Sequence, residues 1–168
     1  MWQYTGDKRP PFATTPGPDQ ESVWDYPRPP ALAPCELLVE VKHGTSLLAS
    51  TQGALRVLET ASPPTFYLPP DCIDWARLSA VSGSSFCEWK GTARYWSLRG
   101  SQQPVAWGYD HPSKPFADIA GYLSFFPARV GCFVAGERVQ PQPGPFYGGW
   151  ITRSVTGPFK GEPGTGHW

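Results

Sequence analysis

Net charge, long apolar runs and paired metal ligands are all scarce in this sequence. Fourteen lysines and arginines meet fourteen aspartates and glutamates, for a formal charge of zero. A protein that grips a polyanion carries a basic surplus, so no nucleic-acid partner is expected. The longest apolar stretches, such as Tyr122 to Phe126, run for only a few residues. A helix needs ~20 to cross a bilayer, so no membrane partner is expected either. The opening residues from Met1 to Pro18 hold no apolar stretch of the length a secretion signal uses. Cys35, Cys72, Cys87 and Cys132 form no C-x-x-C pair, and without a secretion signal they read as free thiols in a reducing compartment. The expected location is therefore cytoplasmic.

The same scarcity removes several common chemistries. Zinc needs about four ligands in compact spacing, and His43, His111, His167 and the cysteines are scattered; no metal site is expected. No cofactor is expected, because neither the phosphate-binding P-loop nor the dinucleotide glycine fingerprint occurs. The glycine-rich run from Gly161 to Gly166 lacks the strand and helix such a loop requires. Phosphoryl transfer on a magnesium-bound triphosphate needs paired carboxylates. The Ser82–Ser85 turn is followed only by Glu88, with Asp71 and Asp74 lying before it.

Proline, glycine and aromatic side chains are abundant instead: 21 Pro, 18 Gly, 8 Trp, 7 Tyr and 9 Phe among 168 residues. So much proline and glycine suggests disorder, but disordered chains are poor in aromatics. A folded, turn-rich, mainly β protein reconciles the two, with one or two short helical turns and extended Pro/Gly-rich ends. The length suits one compact domain. Residues 1–34 carry eight prolines and read as an extended arm. Its aromatics are too many for a solvated linker, so at least residues 20–30 should pack on the body. Residues 35–140 read as the antiparallel β body, and residues 141–168 as a Gly/Pro-rich extension.

Within the body, residues 36–42 and 46–50 predict a hairpin about His43-Gly44. Residues 53–59 are ambiguous between strand and helix, and residues 65–68 form a short strand bounded by proline pairs. Residues 71–78 read as a helical turn or irregular edge. Residues 85–90 and 93–99 predict two strands about a tight turn at Gly91, with residues 103–109 as their third. One helical turn is expected at 114–120, then a closing hairpin from 122–126 and 131–135.

Trp24-Asp-Tyr26-Pro-Arg-Pro29 and Trp107-Gly-Tyr109-Asp-His-Pro112 share the pattern W-x-Y-x-x-P. In a strand, Trp and Tyr two apart share a face. The pair reads either as two aromatic strand ends on one core or as two copies walling one cavity. Cys87 and Lys90, three apart, are the nucleophile candidates, since a cation lowers a thiol pKa. Lys90 alternatively is an exposed strand-end lysine or a donor to an anionic ligand. Arg28, between prolines, suits stacking on Trp24 or capture of an anion. Asp118 suits capping of its turn or pairing with Arg28 or Lys90.

Five blocks together resemble the domain-of-unknown-function family 427, sometimes filed as nucleotidyltransferase-like. They are Glu21-Ser-Val-Trp-Asp-Tyr-Pro-Arg-Pro-Pro30, Pro63-Pro-Thr-Phe-Tyr-Leu-Pro69, Cys87-Glu-Trp-Lys-Gly-Thr-Ala-Arg-Tyr-Trp96, Ala106-Trp-Gly-Tyr109 and Ala117-Asp-Ile-Ala-Gly-Tyr122. The blocks Phe146-Tyr-Gly-Gly-Trp150 and Gly157–Trp168 resemble an extension found in one branch. The resemblance implies several bent antiparallel sheets, similar to the β-tent group, with a pocket between them. It implies no reaction. Some β-tent relatives hold zinc with paired C-x-x-C knuckles, which this chain lacks.

Buried indoles and phenols each need a hydrogen-bond partner, which makes an aromatic cluster costly as mere filler. The expectation is a small-molecule pocket walled by Trp24, Tyr26, Tyr67, Tyr95, Trp96, Trp107, Tyr109 and Tyr122. Arg28, Lys90 and Asp118 would supply orientation. The alternatives are an enzyme acting on a small carbonyl or nucleotide-like substrate through Lys90 or Cys87, and a protein-interaction module using the Pro-rich ends.

Overall fold

A computed structural model describes all 168 residues. Its strands, in chain order, are β1 (Glu21–Ser22), β2 (Ala31–Cys35), β3 (Val39–His43), β4 (Ser46–Thr51) and β5 (Ala54–Leu58). Then come β6 (Thr65–Tyr67), β7 (Leu78–Cys87), β8 (Gly91–Leu98), β9 (Pro104–Gly108) and β10 (Leu123–Phe125). The chain ends with β11 (Gly131–Val134), β12 (Glu137–Arg138), β13 (Gln140–Pro141), β14 (Trp150–Ile151) and β15 (Val155–Thr156). The helical content is four short 3-10 segments, and none is long and apolar enough to cross a membrane.

The strands assemble into several sheets, none closed into a barrel. Two have four strands, ordered β10-β9-β8-β7 and β12-β11-β3-β4; a third is ordered β2-β5-β6. Pairing within these three is antiparallel throughout. Leu68, just past β6, exchanges two backbone hydrogen bonds with Leu123 of β10, 2.8 and 3.0 Å. This joins the three-stranded sheet to its larger neighbour. Gly108, where β9 meets β10, leaves no room for a side chain: a Cβ there would stand 2.4 Å from the Tyr122 carbonyl oxygen.

Strand alternation sorts side chains onto two faces. Phe66, Leu68, Ala106, Leu123 and Phe125 turn into the largest core, shared with Val39, Val41, Leu48 and Trp150. Their neighbours Tyr67, Ala93, Trp107, Tyr109 and Phe126 form a second, aromatic cluster. A third gathers Val23, Trp24, Tyr26, Ala61 and Val155 around the chain ends.

The hairpin at 39–51 forms as the sequence predicts. The second hairpin also forms, but β7 begins at Leu78 rather than 85, and its turn is residues 88–90, with Gly91 already paired to Cys87 as the first residue of β8. Residues 54–58 resolve to a strand because β2 and β6 pair on either side of it. The closing hairpin does not form. Residues 123–125 pair with β9, and residues 131–134 pair with β3 and β12. The intervening turn, bonded from Arg129 and Val130 back to Phe126, carries the chain from one four-stranded sheet to the other. All four cysteines are free.

The proline-rich ends lie against the body. Trp24 is fully buried, and its indole donates to the Pro158 carbonyl at 3.1 Å. Tyr4, Phe12 and Trp168 pack on it with ring centroids 5.1–5.3 Å away. Trp150, from the extension, is also fully buried in the largest core.

Candidate functional site

The aromatic face of the joined sheets opens into a cavity of about 500 Å³, within the size range of small-molecule sites. Its floor comes from alternate residues of neighbouring strands: Thr65 and Tyr67 on β6, Ser85 and Cys87 on β7, Ala93 and Tyr95 on β8, Trp107 on β9. The two-residue period of a strand puts each pair on one face. The polar tips are largely satisfied. Trp107 Nε1 donates to the Tyr67 hydroxyl at 3.1 Å, and the Ser85 and Tyr95 hydroxyls lie 2.6 Å apart in a mutual hydrogen bond. Burial, with Tyr67, Cys87 and Tyr95 nearby, holds the Tyr109 phenol far above the ordinary tyrosine range. It is a neutral wall group at any physiological pH.

Lys90 ends the turn between β7 and β8. Ser113 secures that turn by donating its N–H to the Lys90 carbonyl at 3.0 Å and its hydroxyl to the Trp89 carbonyl. Lys90 is only 8% exposed, and its ammonium faces the Tyr109 ring with 5.7 Å to the centroid. Burial disfavours its charge, but Tyr67, Cys87 and Glu59 outweigh that and hold its pKa above the ordinary lysine value. It therefore remains a cation, as an anion donor would and a carbonyl-attacking amine would not.

The roof comes from both chain ends. Trp2 and a stretch from Gln142 to Lys160 complete the lining, including Phe146, Tyr147 and Gly148. Gly148 is pressed onto the floor: a Cβ there would stand 2.3 Å from the Trp107 ring. Gln142 pins the extension, accepting from the Gly149 N–H at 3.0 Å and donating to the Lys160 carbonyl at 2.8 Å. The Lys160 N–H donates to Ala61 at 2.8 Å, which fixes this lysine over Trp2, 4.5 Å from ammonium to ring centroid.

Of the expected pocket residues, Tyr67, Lys90, Tyr95, Trp107 and Tyr109 line this cavity, as does the nucleophile candidate Cys87. The others lie elsewhere. Trp24 lies in the middle of a 3-10 turn, Val23–Asp25, rather than in a strand, so the W-x-Y echo loses its shared geometry; Trp24 and Tyr26 sit in the cluster at the chain ends. The two copies thus wall separate regions. Trp96 follows Tyr95 and faces the opposite side of β8, against the largest core and Trp75. Tyr122 packs behind the aromatic cluster. Asp118 is exposed, with no hydrogen bond to a cap and no ion pair to Arg28 or Lys90. Arg28 stacks on Trp2, 4.1 Å from ring centroid, not on Trp24. It bonds the Tyr4 and Thr60 carbonyls at 2.9 Å and the Glu59 carboxylate at 3.2 Å. Arg28 therefore stands behind the cavity wall and orients Glu59, which does line it.

Sequence reasoning missed Trp2, Glu59, Arg129, Tyr147 and Lys160. Each lies in or beside a Pro/Gly-rich segment without periodicity, so no pattern assigned it a face. The one available signal was the surplus of aromatics in the arm.

The buried thiol of Cys132 is pushed well above the thiol range by desolvation, and that of Cys72 to about 11 for the same reason; both read as inert packing groups.

No curated protein gives a significant match to the chain. Residues 31–136 match the profile of a domain of unknown function, DUF427. That stretch holds every floor strand of the cavity and none of the roof at Trp2 or 142–160. The chain belongs to the DUF427 family.

Proposed function

We propose that this protein is a small-molecule-binding β domain whose ligand occupies the aromatic cavity. The observation that carries the reading is the construction of the cavity itself. The family-matched strands supply an aromatic floor, and two segments outside the match lie over it, one bonded down by Gln142 and the other stacked on Arg28 through Trp2. Apolar walls with a few polar groups at fixed positions are what a site for a small organic molecule requires. The alternative in which the proline-rich ends recruit a protein draws less support, because Trp2, Trp24 and Trp168 are engaged within the fold.

A catalytic reading of the same cavity draws on one observation, that Cys87 and Lys90 both line it. A nearby cation favours thiolate chemistry. The charged state of Lys90 disfavours a Schiff base, so in that reading Cys87 is the nucleophile.

The test is a thermal-shift screen of metabolite classes on the intact chain. A ligand at one hundred times its Kd adds about 2.7 kcal/mol, which raises Tm by roughly 5–10 °C in a chain of this size. The Tyr95→Ala variant, which removes a half-buried wall residue, should lose most of that rise. A screen in which no class raises Tm would overturn the reading.

A further inference from the structure

The charges around the cavity are unevenly matched. Lys90, Arg129 and Lys160 line it as cations, Glu59 and Glu88 as carboxylates. Glu59 is already held by Arg28 from behind, at 3.2 Å, and Glu88 is solvent-exposed. Lys90 is 8% and Lys160 6% exposed. No oxygen accepts a hydrogen bond from the Lys90 ammonium. Lys160 has one acceptor, the backbone oxygen of Trp168, the last residue, at 3.3 Å. Its remaining near neighbours are the faces of Trp2 and Tyr147.

No Asp or Glu carboxylate lies within ion-pair distance of either lysine. Two little-exposed lysines on one cavity, neither paired with a side-chain carboxylate, offer their charge to an anionic ligand. Both line the cavity together with Glu59. Desolvation, and secondarily the charge of Arg28, hold the Lys160 pKa below the ordinary lysine value. The aromatic floor lies beside them: Lys90 faces Tyr109, and Tyr109 packs on Tyr67, which meets Trp107 edge-on.

Resting on the reading of this cavity as a ligand site, we propose that its ligand is an aromatic oxyanion. A carboxylate or phosphate group would be held by Lys90 and Lys160 while a planar ring lies against Tyr67, Trp107 and Tyr109. Carboxylate and phosphate share the chemistry that meets these ammonium groups, and the probes separate them.

Calorimetric titration of the full chain with 2-naphthoate, 2-naphthyl phosphate and the neutral methyl 2-naphthoate tests this directly. At least one acid should bind about tenfold or more tightly than the ester, the worth of one or two hydrogen bonds to a charged group. Whichever acid binds better names the oxyanion. Lys90→Met and Lys160→Met should each reduce the acid-to-ester ratio toward one, while Lys90→Arg should retain most of it. The arginine variant keeps the test open where the methionine variant fails to fold. Equal binding of ester and acids would overturn the charge inference and leave the cavity reading standing. An acid preference unchanged in both methionine variants would overturn it as well. Failure of all three probes, together with an empty thermal-shift screen, would overturn the cavity reading and this inference with it.

Discussion

Replacing Trp150 with alanine is expected to lower stability by roughly 3–5 kcal/mol, the cost of deleting a buried Trp side chain from a packed core. In a chain of this size that is a drop in Tm of roughly 10 °C or more. Trp150 lies outside the family-matched residues, yet it is fully buried and stacks on Phe66 with 4.9 Å between ring centroids. Its indole donates to the Phe125 carbonyl at 2.9 Å, and its own N–H donates to Pro64 at 2.8 Å. The substitution leaves a cavity and also strips a partner from a buried carbonyl. Thermal and urea denaturation measure the loss. A change below about 1 kcal/mol would mean that the extension packs only loosely on the body. The roof of the cavity would then lose its structural basis.

Arg28→Ala is the second large effect. The guanidinium is 1% exposed at its side chain and bonds two backbone carbonyls as well as Glu59, itself 22% exposed. Removing it leaves those carbonyls unpaired and a largely buried carboxylate without its counter-charge. Breaking one side of a buried pair costs roughly 3–5 kcal/mol, and the partial exposure of Glu59 places this case toward the lower end. Denaturant unfolding of Arg28→Ala, Glu59→Gln and the double variant separates the contributions. The double variant is expected to be more stable than the sum of the two single losses predicts, because it removes the stranded charge. Strict additivity would mean that the pair does not act as a unit, and that Arg28 does not set the position of Glu59 on the cavity wall.

The antiparallel β architecture was legible in local pattern, and the boundaries show why. The hairpin at 39–51 announced itself because turn residues sat between β-rich runs, whereas the first half of β7, rich in Ser and Gly, carried no strand pattern. The hairpin expected at 122–135 failed because local pattern specifies a strand without specifying its partner. Strands β10 and β11 each found a more distant one, in β9 and β3. The same limit applies to the site. Alternation alone separates Tyr95 from Trp96, since adjacent strand residues face opposite ways; their joint assignment to one pocket contradicted the predicted strand. Alternation could not place Trp24, which lies in a 3-10 turn. Nor could it find Lys160, which reaches the cavity through the hydrogen bonds of Gln142 and Ala61, 18 and 99 residues away in sequence respectively. Contacts of that separation leave no periodic trace.

The eight tryptophans supply the most direct test of the central claim. Trp2, Trp89 and Trp107 line the cavity, whereas Trp24, Trp150 and Trp168 pack elsewhere, as do Trp75 and Trp96, which contact each other. Indole N–H resonances, assigned by single Trp→Phe substitutions and followed during titration with a bound small molecule, report each ring separately. The account predicts that the largest shifts fall on Trp2, Trp89 and Trp107, with the other five nearly still. Shifts centred on Trp24 and Trp168, or on Trp75 and Trp96, would place the ligand outside the cavity and contradict it.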